Sequence, residues 1–292
     1  MAKKKKAPSA SKVETYFAHA SLKKNATAAA IRSAYNIEVR FLGGLTTQQK
    51  NAFKNAADRW SKVIVGDLPS VMIDGDVIDD LLIVAQGVAI DGPGKILGQA
   101  GPTHLRPASA GASAFLPAKG LMSFDTADLA EMQADGTLRD VITHEMGHVI
   151  GIGTIWENKR LLVGAGSDNP TFKGVNAKRE FGVLKGTGPV KVPVENTGGS
   201  GTRDGHWRET VFRNELMSGF IAAAGNPLSK MTVASLQDLG YTVDLNAAEP
   251  YGLPNLMALA EAGSLASLRD VPHPHALPIF APKILPDDRL VP

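Results

Sequence analysis

The amino-acid sequence predicts an α+β fold built on a twisted mixed sheet, and three observations lead to this expectation. The chain has 292 residues, of which 43% are hydrophobic and 21% are charged, so it is long enough to bury a large core. Near its start, a strand-like alternation of apolar and polar residues runs directly into a helix-like spacing of apolar residues. Short strand patterns broken by Gly and Pro follow, and a second helical segment comes after them.

The first strand and the helix that backs the sheet are predicted from two local patterns. Apolar and charged residues alternate over 37–41, as in a half-buried strand. Thr46 and Gln49 then have the spacing of a capping box, and apolar residues recur every three or four positions. We expect a strand that begins the folded body at Asn36 and a backing helix over about 46–64.

Shorter patterns fill the rest of the folded body. Strands are predicted at 81–84 and 121–124, and regular helices return only at about Thr137. The stretch 151–205 is rich in Gly, Asn, Thr and Lys and is too long for an ordinary loop, so we interpret it as an insertion or a functional surface. A last helix is expected over about 232–239, with a glycine after it as its C-cap.

The two ends of the chain differ from the body. Seven lysines and Arg32 against Glu14 give residues 1–35 a charge of +7, which leaves −5 on the rest of a chain whose net charge is +2. We expect residues 1–35 to be a flexible basic arm with an Ala-rich helix within 13–34, and residues 269–292 to be an extended Pro-rich tail. Because the excess of basic residues is confined to the arm, no specific nucleic-acid partner is predicted.

Composition excludes several classes of protein. The chain has no cysteine, so disulfide frameworks, thiolate-bound metals and cysteine nucleophiles are ruled out, and any metal ion must be bound by His, Asp or Glu. No stretch approaches the roughly 20 apolar residues of a membrane span. The basic start is not followed by the apolar segment of a signal peptide. We therefore expect a soluble protein with no membrane span and no signal peptide.

The residues with the clearest chemical meaning lie in the segment TLRDVITHEMGHVIGIG. His144 and His148 are four positions apart, so a helix sets both imidazoles on one face, where they can bind one metal ion. Glu145 follows the first histidine, and its carboxylate is placed to accept a proton from a water that attacks a carbonyl. Gly151 lets the helix end in a sharp turn. The pattern predicts a hydrolytic zinc site that still needs a third ligand.

A catalytic zinc ion usually has three protein ligands and one open position. The short-spacer form of this pattern has its third histidine six positions after His148, where Thr154 stands in this chain. His206 is the better candidate, in the segment GTRDGHWRETVFRNELMSG, and Met217 follows it by eleven residues.

Together, HExxHxxG, a long insertion, and then HW and NELM resemble the leishmanolysin family of metzincin zinc metalloproteases. The resemblance covers about residues 36–245 and implies a metzincin-like catalytic module. It implies that Glu145 is the general base, that Met217 is the Met-turn residue beneath the metal, and that the zinc ligands are His144, His148 and His206. Because the cysteine framework of the eukaryotic members is absent, the chain resembles a bacterial, cysteine-free type.

Other interpretations of the third ligand stay open. Asp204 lies in a GTRD segment that is one residue shorter than the GTxxD motif of aspartate-ligated zincins. Glu180 is a loose candidate for a glutamate ligand on a second helix, and His206 could instead cap or pack beside Trp207. The HPH sequence at 273–275 is a further potential metal-binding pair, or a solvated part of the tail.

The resemblance divides the chain into four parts. Residues 1–35 are the arm and residues 269–292 are the tail. Residues 36–151 form an N-terminal catalytic subdomain with the HExxH helix at about 137–150, and residues 152–268 form a C-terminal subdomain with the insertion, the third histidine and the Met-turn. Substrate is expected in the cleft between the two subdomains, paired as an extended strand with a sheet edge.

The function implied by the resemblance is that of a zinc-dependent endopeptidase acting on protein or peptide substrates. One catalytic Zn²⁺ is expected, and Asp and Asn residues of the insertion are candidate Ca²⁺ ligands, although no loop there matches a known calcium-binding pattern. We expect a monomer that is secreted by a leaderless route, with a cytoplasmic location as the alternative. Two other functions stay open: a zinc-stabilised non-catalytic binding module, and a latent protease blocked by one of its own tails.

Overall fold

A six-stranded mixed sheet forms the centre of the fold, as the sequence predicts. The computed structural model describes residues 13–20, 34–94, 97–199, 201–221, 223–255 and 281–291. In these residues the strands are β1 (Glu14–His19), β2 (Asn36–Gly43), β3 (Val71–Ile73), β4 (Asp76–Ile78), β5 (Leu81–Val88), β6 (Gly98–Leu105), β7 (Pro117–Asp125), β8 (Leu162–Val163), β9 (Thr171–Phe172), β10 (Val192–Pro193) and β11 (Lys283–Ile284). The helices are α1 (Thr47–Val63), α2 (Thr126–Asp135), α3 (Leu138–Ile150), α4 (Val175–Lys185), α5 (Glu209–Phe212) and α6 (Lys230–Leu239).

The strands of the main sheet follow the order β1-β2-β5-β7-β6-β11. The strands β2, β5 and β7 are parallel, β1 is antiparallel to β2, and β6 is antiparallel to β7. The short strand β11 pairs in parallel with β6, and only at His104 and Leu105. The predicted mixed sheet is therefore confirmed, and most of β6 forms an edge of it.

Two long helices cover one face of the sheet and enclose the main core. The helix α1 begins with the predicted capping box: the N–H of Gln49 donates to the Thr46 hydroxyl at 3.3 Å, and the N–H of Thr46 donates to the Gln49 side chain at 2.9 Å. Trp60 of α1 is fully buried, and its indole N–H donates to the carbonyl of Thr143 in α3 at 2.9 Å. The predicted backing helix and the predicted HExxH helix are thus confirmed as α1 and α3, and this hydrogen bond joins them directly.

The opposite face of the sheet is covered by the β3–β4 hairpin and by residues 281–291. Leu285 is buried, and its N–H donates to the carbonyl of Leu105 at 2.9 Å. It packs in a small apolar cluster with Val71, Ile73, Ile78, Leu82 and Ala118. The described part of the Pro-rich tail is therefore docked on the sheet. It is extended at β11 and forms a short 3₁₀ turn at Asp287–Arg289.

The expectation for the N-terminal segment is wrong where the structure describes it. A helix was expected within 13–34 and a folded body from Asn36, but β1 pairs along its length with β2 and extends the sheet. Ala18 is buried, and Glu14 forms ion pairs with two lysines of α1 at 2.7 and 3.1 Å. The strand forms because the edge of β2 offers unpaired backbone groups, which the local sequence pattern does not reveal.

Two helices are absent from the sequence prediction. The helix α2 precedes Thr137, where no helix was expected, although Asp125 caps it by accepting the N–H of Ala127 at 2.8 Å. The helix α4 lies within the stretch 151–205, which was expected to have little regular structure. Both helices bury few apolar side chains, so their helical periodicity is weak in the sequence.

The last predicted helix is confirmed as α6. Ser229 caps its N-terminus by accepting the N–H of Thr232, and Gly240 ends it in the left-handed conformation with φ of +111°. Within the part of the chain that the structure describes, no helix is both long and apolar enough to cross a membrane.

Candidate metal centre

The helix α3 holds His144 and His148 inside the core. Their exposed fractions are 1% and 7%. The spacing of four residues places both imidazoles on one face of the helix, as predicted. Gly151 ends the helix with φ of +119°, a conformation that favours glycine. Apolar side chains fix the helix in place, namely Leu138, Val141, Ile142, Met146, Val149 and Ile150.

His206 joins these two histidines although it lies 58 residues after His148. The Nε2 atoms are separated by 3.0 Å between His144 and His148, by 3.0 Å between His144 and His206, and by 2.9 Å between His148 and His206. Two nitrogens that are each about 2.0–2.1 Å from one zinc ion lie at most about 4 Å apart. The three Nε2 atoms are therefore close enough to bind a single ion.

The Nδ1 atoms of the three imidazoles indicate how the rings are protonated. Each Nδ1 is hydrogen-bonded to a backbone carbonyl: His144 to Leu216 at 2.6 Å, His148 to Ile152 at 2.8 Å and His206 to Thr202 at 2.8 Å. A carbonyl only accepts, so each Nδ1 carries the hydrogen, and in the neutral imidazole the Nε2 then presents a lone pair. Burial lowers the pKa of His148 to about 4. Three lone pairs that converge in a buried site repel one another without a cation, so this donor set fits a metal ion.

A close backbone approach brings His206 to the end of α3. A Cβ atom on Gly153 would lie 2.0 Å from the carbonyl oxygen of Gly205, and Gly153 has φ of +77°. Thr154, which stands where the short-spacer pattern has its third histidine, instead donates its hydroxyl to the carbonyl of His148 at 2.7 Å. The insertion therefore leaves the site at Gly153 and returns to it at Gly205.

An aromatic cluster anchors the insertion behind the third histidine. Trp156, Phe172 and Trp207 are all fully buried. The ring centroids of Trp156 and Trp207 are 4.7 Å apart, and Phe172 contacts both rings. Since Trp207 directly follows His206, the packing of its indole restricts the backbone that carries the third imidazole.

Met217 lies beneath α3, next to the histidines. It is fully buried, and a Cβ atom on Gly147 would lie 2.8 Å from its Sδ atom. The N–H of Trp207 donates to the carbonyl of Met217 at 2.9 Å. Met217 thus packs against α3 between the positions of His144 and His148, and only a glycine at 147 allows so close a contact. Its role as the Met-turn residue stays a prediction.

Glu145 and the three histidines line two spaces through which a substrate could reach the site. Glu145 is 1% exposed and lines an apolar recess of about 20 Å³, with Leu97, Met132, Thr137, Val141, His144 and Ile221. A larger and more polar cleft of about 270 Å³ opens over His148 and His206. Ala100 of the edge strand β6 lines this cleft. The site is therefore reached along the edge of the main sheet.

The alternative ligands from the sequence make other contacts, although Asp204 lines the same cleft as His148 and His206. Asp204 accepts a backbone N–H from the insertion at 2.9 Å, and Glu180 forms an ion pair with its neighbour at 3.0 Å. Among the described residues, neither belongs to the metal-ligating group of histidines. The HPH sequence at 273–275 lies outside the described residues.

Two carboxylate sites escaped the sequence prediction. Asp67, Asp79 and Asp80 come within metal-ligating distance of one another, but Asp80 accepts the backbone N–H groups of Asn36 at 2.8 Å and Leu68 at 2.7 Å, which is a structural role. Glu215, two residues before Met217, is fully buried. The only sign of it in the sequence is that this charged residue directly precedes the apolar pair Leu216 and Met217.

Comparisons with known proteins identify a family for the part of the chain that contains the three histidines. A family model described as leishmanolysin matches residues 112–258, just over half of the chain. Leishmanolysin from Leishmania donovani is 29% identical over 147 residues, which are 47% of this chain and 24% of that protein. The leishmanolysin homolog from Crithidia fasciculata is 26% identical over 136 residues, which are 43% of this chain and 20% of that protein. The chain thus spans about a quarter of the length of the curated relatives that it matches.

Proposed function

The chain belongs to the leishmanolysin family, and on this premise we propose that it is a zinc-dependent endopeptidase. The observation that carries the proposal is the convergence of three Nε2 lone pairs within 3.0 Å of one another in a buried site. Glu145 is adjacent in sequence to one of these histidines and is buried beside them. Such a set of residues is what metal-assisted hydrolysis of a peptide bond requires.

His144, His148 and His206 would hold the zinc ion through Nε2, with their Nδ1–H groups fixed by backbone carbonyls. Bound zinc would supply Lewis-acid polarisation of the peptide carbonyl. Glu145 acts as the general base: its carboxylate accepts a proton from the attacking water and then donates it to the leaving amine. Met217 supports α3 from below through its contact at Gly147.

A peptide substrate is proposed to lie along β6 as an added strand. Ala100 of β6 lines the cleft, and β11 occupies this edge only at His104 and Leu105. The remaining backbone of the edge strand can pair with an extended chain. The division of the catalytic body into subdomains at 151 and 152, with the cleft between them, stays a prediction, as do a monomeric state and secretion by a leaderless route.

Replacement of Glu145 tests the proposal. We expect purified protein to contain one zinc ion per chain, to lose it to a chelator, and to cleave an unstructured protein such as casein. Glu145→Ala should reduce cleavage by at least about 100-fold, because the general base is lost, while zinc content stays at one. Glu131→Ala, which removes an exposed carboxylate on α2, is the matched control and should cleave like the wild type.

The competing functions predict other results for the same proteins. A non-catalytic zinc module would bind one zinc ion and show no cleavage in the wild type. A protease blocked by its own tail would gain activity when that tail is removed, and a deletion of residues 1–12 tests this for the arm without removing β1 from the sheet. In the structure β1 lies on the sheet edge opposite β6, so the described part of the N-terminal arm is remote from the cleft. Cleavage that survives in Glu145→Ala would contradict the endopeptidase proposal.

A further inference from the structure

Glu215 is a buried carboxylate that accepts hydrogen bonds on both of its oxygens. Its Oε2 accepts the backbone N–H of Met217 at 2.6 Å. Its Oε1 accepts the backbone N–H of Ser229 at 3.0 Å, the Ser229 hydroxyl at 2.6 Å and the hydroxyl of Thr232. Ser229 and Thr232 belong to the first turn of α6, where the positive end of the helix dipole favours a carboxylate. Burying a carboxylate is costly, so a fully bonded one points to a specific task.

One branch of this network ends at His144. The hydrogen bond from Met217 N–H to Glu215, together with the bond from Ser218 N–H to the Glu215 carbonyl at 3.0 Å, fixes a tight turn at Leu216. The carbonyl of Leu216 accepts the Nδ1–H of His144 at 2.6 Å. The carboxylate thereby fixes the acceptor that orients the imidazole of His144.

The other branch ends beside His206. The indole N–H of Trp207 donates to the hydroxyl of Thr232 at 2.8 Å, and that hydroxyl donates to Glu215. The backbone N–H of Trp207 also donates to the carbonyl of Met217 at 2.9 Å, within the same turn. Two anchors from one network therefore hold the residue that follows His206.

We propose that Glu215 is a positioning residue that holds two of the three histidines, His144 and His206, in register for one metal ion. It touches neither imidazole and acts through the Leu216 carbonyl and the Trp207 indole. The inference rests on the proposed function, because it needs the three histidines to be metal ligands. Groups that orient metal ligands in this way typically change metal affinity by about 10–100-fold when they are replaced.

Glu215→Gln is the variant that tests the inference. The amide keeps the shape of the side chain but replaces one oxygen with an NH₂ group. In either orientation this NH₂ group faces one backbone N–H, of Met217 or of Ser229, and that N–H loses its acceptor. We expect the dissociation constant for Zn²⁺, measured on the full chain by competition with a chromophoric chelator, to rise by about 10–100-fold.

Asp80→Asn is the matched control for a merely structural effect. Asp80 is also a buried carboxylate whose two oxygens accept backbone N–H groups, from Asn36 and Leu68, but neither partner belongs to the metal centre. The same chemical change should lower the free energy of unfolding without a change in Zn²⁺ affinity. Urea unfolding of the metal-free proteins places the two variants on one stability scale.

Thr232→Val keeps the inference testable if Glu215→Gln does not fold. Valine preserves the shape of the side chain and removes the hydroxyl that links Trp207 to Glu215. A smaller rise in the Zn²⁺ dissociation constant, of several-fold, is expected. Unchanged Zn²⁺ affinity in the folded variants, alongside a wild type that binds one zinc ion, would overturn the inference and leave the proposed function standing. A wild type that binds no zinc would overturn both.

Discussion

The helix α3 and the segment 201–218 supply ligands to the same metal centre by different means. On α3 the positions of His144 and His148 follow from one turn of helix, whose hydrogen bonds and apolar faces are local. In the segment 201–218, the position of His206 depends on contacts to Gly153 and Thr232, which lie outside the segment, and on the turn at Met217 within it. The comparison indicates that the two-histidine half of the site is robust and that the third ligand is the part most easily displaced.

The largest effect that distinguishes the two regions is expected from Gly153→Ala. The new Cβ atom would meet the Gly205 carbonyl at 2.0 Å, so the backbone before His206 must move, whereas α3 has already ended. We expect the Zn²⁺ dissociation constant to rise by about 100-fold, measured by chelator competition. The helix content, followed by far-ultraviolet circular dichroism, should stay close to that of the wild type.

The control for Gly153→Ala is Gly186→Ala. Gly186 also has a positive φ, of +65°, but a Cβ atom there would meet no atom within 4 Å. Both variants cost about 1–2 kcal/mol through the left-handed backbone, and only Gly153→Ala adds the collision. Equal Zn²⁺ affinities for the two variants would show that the third ligand does not depend on this backbone approach.

The last difference is expected in stability alone. The pH dependence of the free energy of unfolding should distinguish the region of Asp80, next to the main sheet, from the segment around His206. Burial raises the pKa of Asp80 to about 7 and the pKa of Glu209, at the start of α5, to about 7. A carboxyl group whose pKa is higher in the folded state gives stability that is fully present below its unfolded pKa and is lost as pH rises through the folded value. The free energy of unfolding should therefore fall between about pH 4 and about pH 7, by roughly 2–3 kcal/mol for each group.

Glu209→Gln and Asp80→Asn assign this pH dependence to the two regions. Each variant should remove the part of the pH dependence that its own carboxyl group causes. In urea unfolding of the metal-free protein, the double variant should therefore show the smallest change in the free energy of unfolding with pH. Differences from the wild type cancel the opposite contribution of His148, whose pKa is lowered by burial. A profile that neither substitution alters would contradict the assignment.

The parts of the fold and of the site that the sequence predicts well are those built from local patterns. The capping box at Thr46, the four-residue spacing of His144 and His148 and the glycine after α6 each specify a short piece of backbone, and the structure confirms those pieces. The candidate His206 came from a motif resemblance, since nothing in the spacing of 58 residues predicts a contact.

The features that the sequence did not predict depend on tertiary contacts. The strand β1 forms because β2 has a free edge, and α4 forms although it buries few apolar side chains. Glu215 would be read as a surface residue from its charge, because its four hydrogen-bond donors lie in a turn and in a helix that meet only in the folded chain.

Anomalous scattering from a crystal of the full chain, recorded on both sides of the zinc absorption edge, locates any bound zinc ion directly. We expect one zinc peak at about 2.0–2.1 Å from the Nε2 atoms of His144, His148 and His206. A zinc peak at Asp67, Asp79 and Asp80 instead, or a site from which His206 is missing, would contradict it.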